Sequence, residues 1–169
     1  MAIIFEKDKE LIISKVISRI KNSVTHQPEA CVIFITQLYG SVSLEDLEQW
    51  AIDDLVAAAL HFWNVLQTRA PRETKIRIYN PNQEEHGWHS THTIIEILME
   101  DMPFLVDSVR MVLEKMELTV HLIIHTGGIP LERNAHHALT QVFPKPHTIA
   151  EEKSMEAPIW VQIDQQTDP

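Results

Sequence analysis

Residues 91–125, THTIIEILMEDMPFLVDSVRMVLEKMELTVHLIIH, decide the fold of this 169-residue chain. Thr93, Ile95, Ile97 and Met99 alternate with His92, Glu96 and Glu100, the two-residue period of a strand with one buried face. Asp101 and Pro103 read as a helix start: an acidic capping side chain, then a proline where a missing N–H costs nothing. Leu105, Val109, Val112 and Met116 follow at helical spacing, predicting a helix whose apolar face they share. Val120, Leu122 and Ile124 restore the period of two, alternating with His121, Ile123 and His125. Two strands joined by a helix are most simply parallel neighbours, linked by a right-handed crossover.

Upstream, Leu11, Ile12, Lys15, Val16, Arg19 and Ile20 predict a short amphipathic helix, which Pro28 interrupts. Residues 30–39 are ambiguous: CVIFI has strand propensity, yet Phe34 and Leu38 lie four apart. Gly40 ends that segment. Ser43 with Asp46 three residues on resembles a capping box. Residues 52–67 predict a second helix, with Leu55, Ala59, Phe62 and Leu66 on one face and Pro71 closing it. Residues 75–79 predict a strand with Ile76 and Ile78 inward, followed by a turn at Asn80-Pro81-Asn82 and a polar loop. Downstream, Gly127, Gly128 and Pro130 break the second central strand. A strand is expected near 138–143. Pro144, Pro146, Glu151 and Glu152 predict an exposed connection. Ile159, Val161 and Ile163 predict a last strand, antiparallel to residues 119–125.

Composition narrows the partners. A net charge of −10 argues against nucleic acid, whose phosphates need an excess of Lys and Arg, and against an anionic membrane surface. The single cysteine, Cys31, cannot form an internal disulfide or a zinc site built on several thiolates. The chain turns charged at residues 6–10 and contains no apolar run of transmembrane length. The expected location is the cytoplasm.

Several separated motifs carry a family resemblance. EDMPFLVDSV followed by LTVHLIIH, preceded by RAPRETKIRIYNP and GWHSTHT and followed by WVQIDQQTDP, is similar to the amino-terminal segment of the large bacterial NAD-dependent glutamate dehydrogenases. The resemblance runs from about Leu38 to Pro169. It implies an ACT-like module, a small βαββαβ unit of ferredoxin-like topology, and it favours a helix for residues 30–39. The expected fold is α+β: helices in residues 1–70 packed on an ACT-like sheet in residues 71–169, truncated at its carboxyl end. The resemblance implies a non-catalytic regulatory or assembly domain. The parent enzyme would oxidise L-glutamate to 2-oxoglutarate and ammonia with NAD. Its partners would be the remainder of the parent polypeptide, further copies in a homo-oligomer and an amino-acid effector. The alternative is a free-standing ACT-like amino-acid sensor acting on another enzyme.

The residues themselves offer little catalytic chemistry. Glycines at 40, 87, 127 and 128 form no dinucleotide fingerprint or phosphate loop, so no cofactor is expected here, and NAD would lie elsewhere in the parent. No catalytic residue is assigned. Cys31 sits in an apolar run and reads as core. His86, His89 and His92, spaced by three, are the set to weigh as metal ligands, against a plainer reading of His86 and His89 as solvated loop residues and of His92 as part of the family pattern. Arg69, Arg72, Lys75 and Arg77 form a local basic group that an acidic surface of the parent would meet, or else a solvated helix end. The turn Asp101-Met102-Pro103-Phe104-Leu105 is the candidate effector or interface site. Many ACT domains carry glycine where Phe104 stands, letting an effector approach the backbone at a helix N-terminus. The family also tends to glycine at Glu117, a left-handed helix cap. Glu117 is therefore expected to close the helix another way.

Overall fold

Residues with helical period precede those with strand period, and the two groups form separate layers in the computed structural model, which describes residues 2–145 and 154–169. Helix α1 (Ala2–Ser23) is longer than its amphipathic segment requires and buries Val16 and Ile20 completely. Helix α2 (Pro28–Gly40) opens on a proline at its first turn, where no intrahelical N–H bond is lost. It buries Cys31, Phe34, Ile35 and Leu38, which resolves the CVIFI ambiguity in favour of helix. Helix α3 (Leu44–Glu48) starts as expected: the Ser43 hydroxyl accepts from the Asp46 N–H at 3.1 Å. Helix α4 (Ile52–Leu66) buries Leu55, Ala59, Phe62 and Leu66. The Lys75 ammonium donates to the Val65 and Thr68 carbonyls, and Arg133 to that of Leu66, satisfying acceptors that the end of α4 leaves open.

The second layer is a six-stranded sheet of β1 (Lys75–Tyr79), β2 (His92–Glu100), β3 (Val120–His125), β4 (Ile129–Arg133), β5 (Leu139–Val142) and β6 (Ser154–Asp164). A short helix, α5 (Gln83–His86), lies between β1 and β2, and α6 (Leu105–Lys115) between β2 and β3. Every strand pair is antiparallel. Strand β6 is the axis. One edge pairs with β2 from His92↔Asp164 to Glu100↔Glu156. The other is shared by β3, ending at His125↔Ile159, and β4, beginning at Ile129↔Glu156. The two central strands are thus parallel but not neighbours, because β6 enters between them. The run β2-α6-β3-β6 is the βαββ part of a ferredoxin-like unit, and β1 pairs along the outer edge of β2. The expected α+β layering forms.

Other expectations need correction. The second central strand does break before Gly127, β3 ending at His125, but Pro130 lies within a further strand, β4, and β4 and β5 form a hairpin where one strand was expected. Pro146, Glu151 and Glu152 lie outside the described residues. Strand β2 is buried on both faces. Ile94, Leu98, Ile124 and Trp160 pack with α1–α4, while Ile95, Ile97, Ile159 and Val161 pack with Leu105 and Leu113 of α6. A register shift between Val120 and Leu122 sends Val120 to the α6 side and Leu122 to the other, as a bulge does. In α6 the buried residues are Leu105 and Leu113, and Val112 and Met116 are exposed. One helix of this length can cover only part of a sheet face.

Candidate functional site

The turn after β2 follows from sheet register. The Asp101 N–H donates to the Met155 carbonyl at 2.9 Å, so Asp101 continues the β2–β6 ladder and does not reach the free N–H groups of α6. Its carboxylate packs against Gly128, where any side chain would collide with it. The capping role expected of Asp101 is therefore not fulfilled. Phe104 is the residue that caps α6, with φ 66° and no side-chain hydrogen bond. It takes the left-handed conformation that suits glycine, and its ring stands 76% exposed. Met102 and Pro103 are exposed and Leu105 is buried. Met111 and Val112 of α6, and Met116 just past its end, are exposed as well. So are Ile76 and Ile78, which were expected to point inward.

Glu117 also adopts a left-handed backbone, φ 58°. The Leu118 N–H donates to the Leu113 carbonyl at 3.0 Å and the Glu117 N–H to that of Glu114 at 2.9 Å. This is a Schellman closure. The expectation that Glu117 closes the helix another way is overturned: the bonding pattern outweighs the cost of the Cβ.

The outward turn of Ile76 and Ile78 follows from their neighbours. Arg77 faces the helices, where its guanidinium donates to the fully buried Glu96 at 2.8 and 2.5 Å. Tyr79 donates to the other Glu96 oxygen at 3.0 Å, and the His61 ring lies 3.4 Å from it. A second buried carboxylate, Glu156, receives Arg133 at 2.8 Å and Arg69 at 3.0 Å. Burial pushes the Glu156 carboxyl up, but hydrogen bonds from Arg133 and Arg69 outweigh it and hold it below its ordinary value. The basic group is therefore dispersed. Arg69 and Arg77 pair within the fold, Lys75 caps α4, and the Arg72 N–H donates to Glu100.

The three histidines separate. His86 stacks on Tyr79 at 4.7 Å between ring centroids and lies near His61, while His89 is exposed. Burial, with His61 beside it, lowers the proton affinity of His86. His92 meets His121 edge to face at 4.5 Å. Among the described residues, no three His, Cys, Asp or Glu side chains are placed to share a metal ion.

His92 and His121 instead border a polar cleft of about 480 Å³ between the sheet end and the α3–α4 junction. Asp46, Trp50 and Asp54 form its helical wall, and Gln162 lies on its sheet wall. The Gln162 amide donates to His92 Nδ1 at 2.8 Å, and His121 Nε2 bonds to Asp164 at 2.7 Å. Burial and the adjacent His121 ring lower the proton affinity of His92. Hydrogen bonds from Thr119 and His121 hold the Asp164 carboxyl below its usual range. Sequence reading noticed His92 and His121 but not Asp54 or Gln162. The signal for Gln162 was its strand position, opposite the hydrophobic Val161 and Ile163.

These geometries stand on a chain whose residues 34–169 match the family model described as "Glutamate dehydrogenase, ACT1 domain". The chain belongs to the glutamate dehydrogenase ACT1 family. It is 43% identical over 136 residues to the NAD-specific glutamate dehydrogenase of Halomonas elongata, a match covering 80% of this chain and 8% of that protein. It is 36% identical over 132 residues to the NAD-specific glutamate dehydrogenase of Pseudomonas aeruginosa, covering 78% and 8% respectively. The ACT1 segment thus spans about 8% of the length of the relatives it matches. No solved structure matches the chain. No helix among the described residues is long and apolar enough to cross a membrane.

Proposed function

We propose that this ACT1 chain is a non-catalytic regulatory or assembly domain of a cytoplasmic, oligomeric NAD-dependent glutamate dehydrogenase, which converts L-glutamate and NAD to 2-oxoglutarate, ammonia and NADH. The observation that carries the reading is Phe104, a strained, exposed aromatic at the turn expected to be the effector or interface site. A non-glycine residue held at positive φ and exposed costs stability without return inside this chain, which supports a contact made outside it. Met102, Met111, Val112 and Met116 extend the apolar surface, and methionine adapts readily to a partner. The partner is the remainder of the parent polypeptide or its next copy. NAD would bind elsewhere in the parent: the four glycines here lie at the end of α2, after α5, and between β3 and β4, and none forms a strand–glycine turn–helix cradle.

The test is Phe104→Ser in a full-length relative with the same motif, read by sedimentation and by steady-state kinetics. Weakened assembly or altered effector response, with the chemical step retained in any assembled enzyme, is expected. Unchanged assembly and unchanged regulation would refute the proposal.

A further inference from the structure

The polar cleft has no part in the assembly reading and needs its own account. Its charge is one-sided. Among the described residues, Asp46 and Asp54 contribute two carboxylates, and neither Lys nor Arg lines the cleft. Asp46 is engaged by the Ser43 hydroxyl at 2.6 Å. The Asp54 carboxylate, half-buried in the first turn of α4, has no hydrogen-bond or ion-pair partner among the described residues. Facing these groups are imidazoles whose orientation is set from behind. With His92 Nδ1 accepting from Gln162, the ring proton sits on Nε2, whereas His121 is oriented by donating from Nε2 to the Asp164 carboxylate. Ser90 and Thr91 add hydroxyls at the rim.

This combination discriminates among ligands. Two carboxylates without a counter-ion repel anions. Among the described residues, no three His, Cys, Asp or Glu side chains here are placed to share a metal ion. A space of about 480 Å³ accommodates a ligand of several heavy atoms rather than a lone ion. The geometry points to a site for a small organic cation, a primary ammonium compound. Its charged end sits on Asp54 and Asp46, its chain lies along Trp50 and Leu122, and a polar far end meets His92. Trp50 is a firm wall, because it packs against Trp88 at 5.3 Å and Trp160 at 5.5 Å. The inference concerns this chain alone, so its failure leaves the assembly reading untouched.

The test uses 4-aminobutan-1-ol, whose hydroxyl can accept from the His92 Nε2–H, titrated into the 169-residue chain, followed by calorimetry and by the imidazole ¹⁵N shifts of His92, with butane-1,4-diol as the neutral control. Saturable amino-alcohol binding that moves the His92 resonances is expected. Asp54→Asn should weaken it about tenfold through loss of a charge-assisted hydrogen bond. Asp53→Asn is the matched control, because Asp53 pairs with Arg19 and does not line the cleft. It should change affinity less than about twofold, as an exposed pair contributes little. Should Asp54→Asn fail to fold, Gln49→Lys, an exposed change at the cleft wall, should repel the amino alcohol instead. Absence of saturable binding overturns the inference. So does equal weakening by Asp53→Asn and Asp54→Asn, which would show that only the overall negative charge attracts the probe. So does diol binding as strong as amino-alcohol binding.

Discussion

Phe104→Gly separates strain from packing at the turn before α6. A residue with a Cβ pays about 1–2 kcal/mol in the left-handed region, and Phe104 sits there at φ 66°. Glycine removes that penalty, but its freer unfolded chain takes back about 0.4–1 kcal/mol. The ring is 76% exposed, so its deletion forfeits about a quarter of the 1.5–3 kcal/mol of a buried aromatic, roughly 0.5 kcal/mol. The sum lies between a loss of about 0.5 kcal/mol and a gain of about 1 kcal/mol. A buried phenylalanine would instead give a loss of several kcal/mol. The assay is urea unfolding of the 169-residue chain followed by circular dichroism, with Phe104→Ala beside it. Alanine keeps the Cβ penalty and loses the ring, so it should fall below both wild type and Phe104→Gly. A Phe104→Gly variant less stable by more than about 1.5 kcal/mol would refute the reasoning, as would an alanine variant more stable than the glycine one.

Glu117→Gly should stabilise the chain by up to about 1 kcal/mol in the same assay, since the Schellman bonds remain and the positive-φ cost disappears. Arg77→Met should cost about 3–5 kcal/mol by leaving the fully buried Glu96 without its guanidinium; urea unfolding that shows no loss would mean Tyr79 and His61 suffice. For Glu156 the folded carboxyl lies below its ordinary value. The native state therefore binds fewer protons than the unfolded chain. Its contribution is complete above the unfolded value of about 4.3 and is lost as pH falls through the lower folded value. Glu156→Gln should lower stability at pH 7 and flatten its dependence in that acid window, measured by thermal unfolding across pH.

Much of the fold is legible in local pattern. The β2 strand, the helical spacing of α4 and the Ser43 cap each depend on neighbours within a turn or two, and each element forms where the residues suggest, although β2 is buried on both faces rather than one. What pattern cannot reveal is which element lies beside which. Ile76 and Ile78 read as inward because apolar residues usually are. They face outward because Arg77 and Tyr79 must reach Glu96 from the same strand face. Periodicity assigns 76 and 78 to one face and 75, 77 and 79 to the other. It says nothing about which face the helices cover, and here a buried salt bridge decides. Asp101 fails as a cap for a similar reason, since its backbone pairing with Met155 commits it to the sheet.

The cleft was hidden by the same limit. His92 reads with two loop histidines spaced three apart, and His121 reads with His125 on its own strand. They meet only because β6 enters between β2 and β3 and carries Gln162 and Asp164 to them. The register shift beside His121 then lets Leu122 and Ile124 join the helical face, so the even spacing of Val120, Leu122 and Ile124 misled on which residues share a side. Asp46 carried a local signal, its cap, and that signal concealed a second role as cleft wall. Asp54 carried none, because an acidic residue in a helix's first turn is explained by the helix dipole alone. A site assembled from a helix junction and three strands can be recognised only after long-range pairing is known. Residues whose local roles are already satisfied are therefore the ones sequence reading passes over.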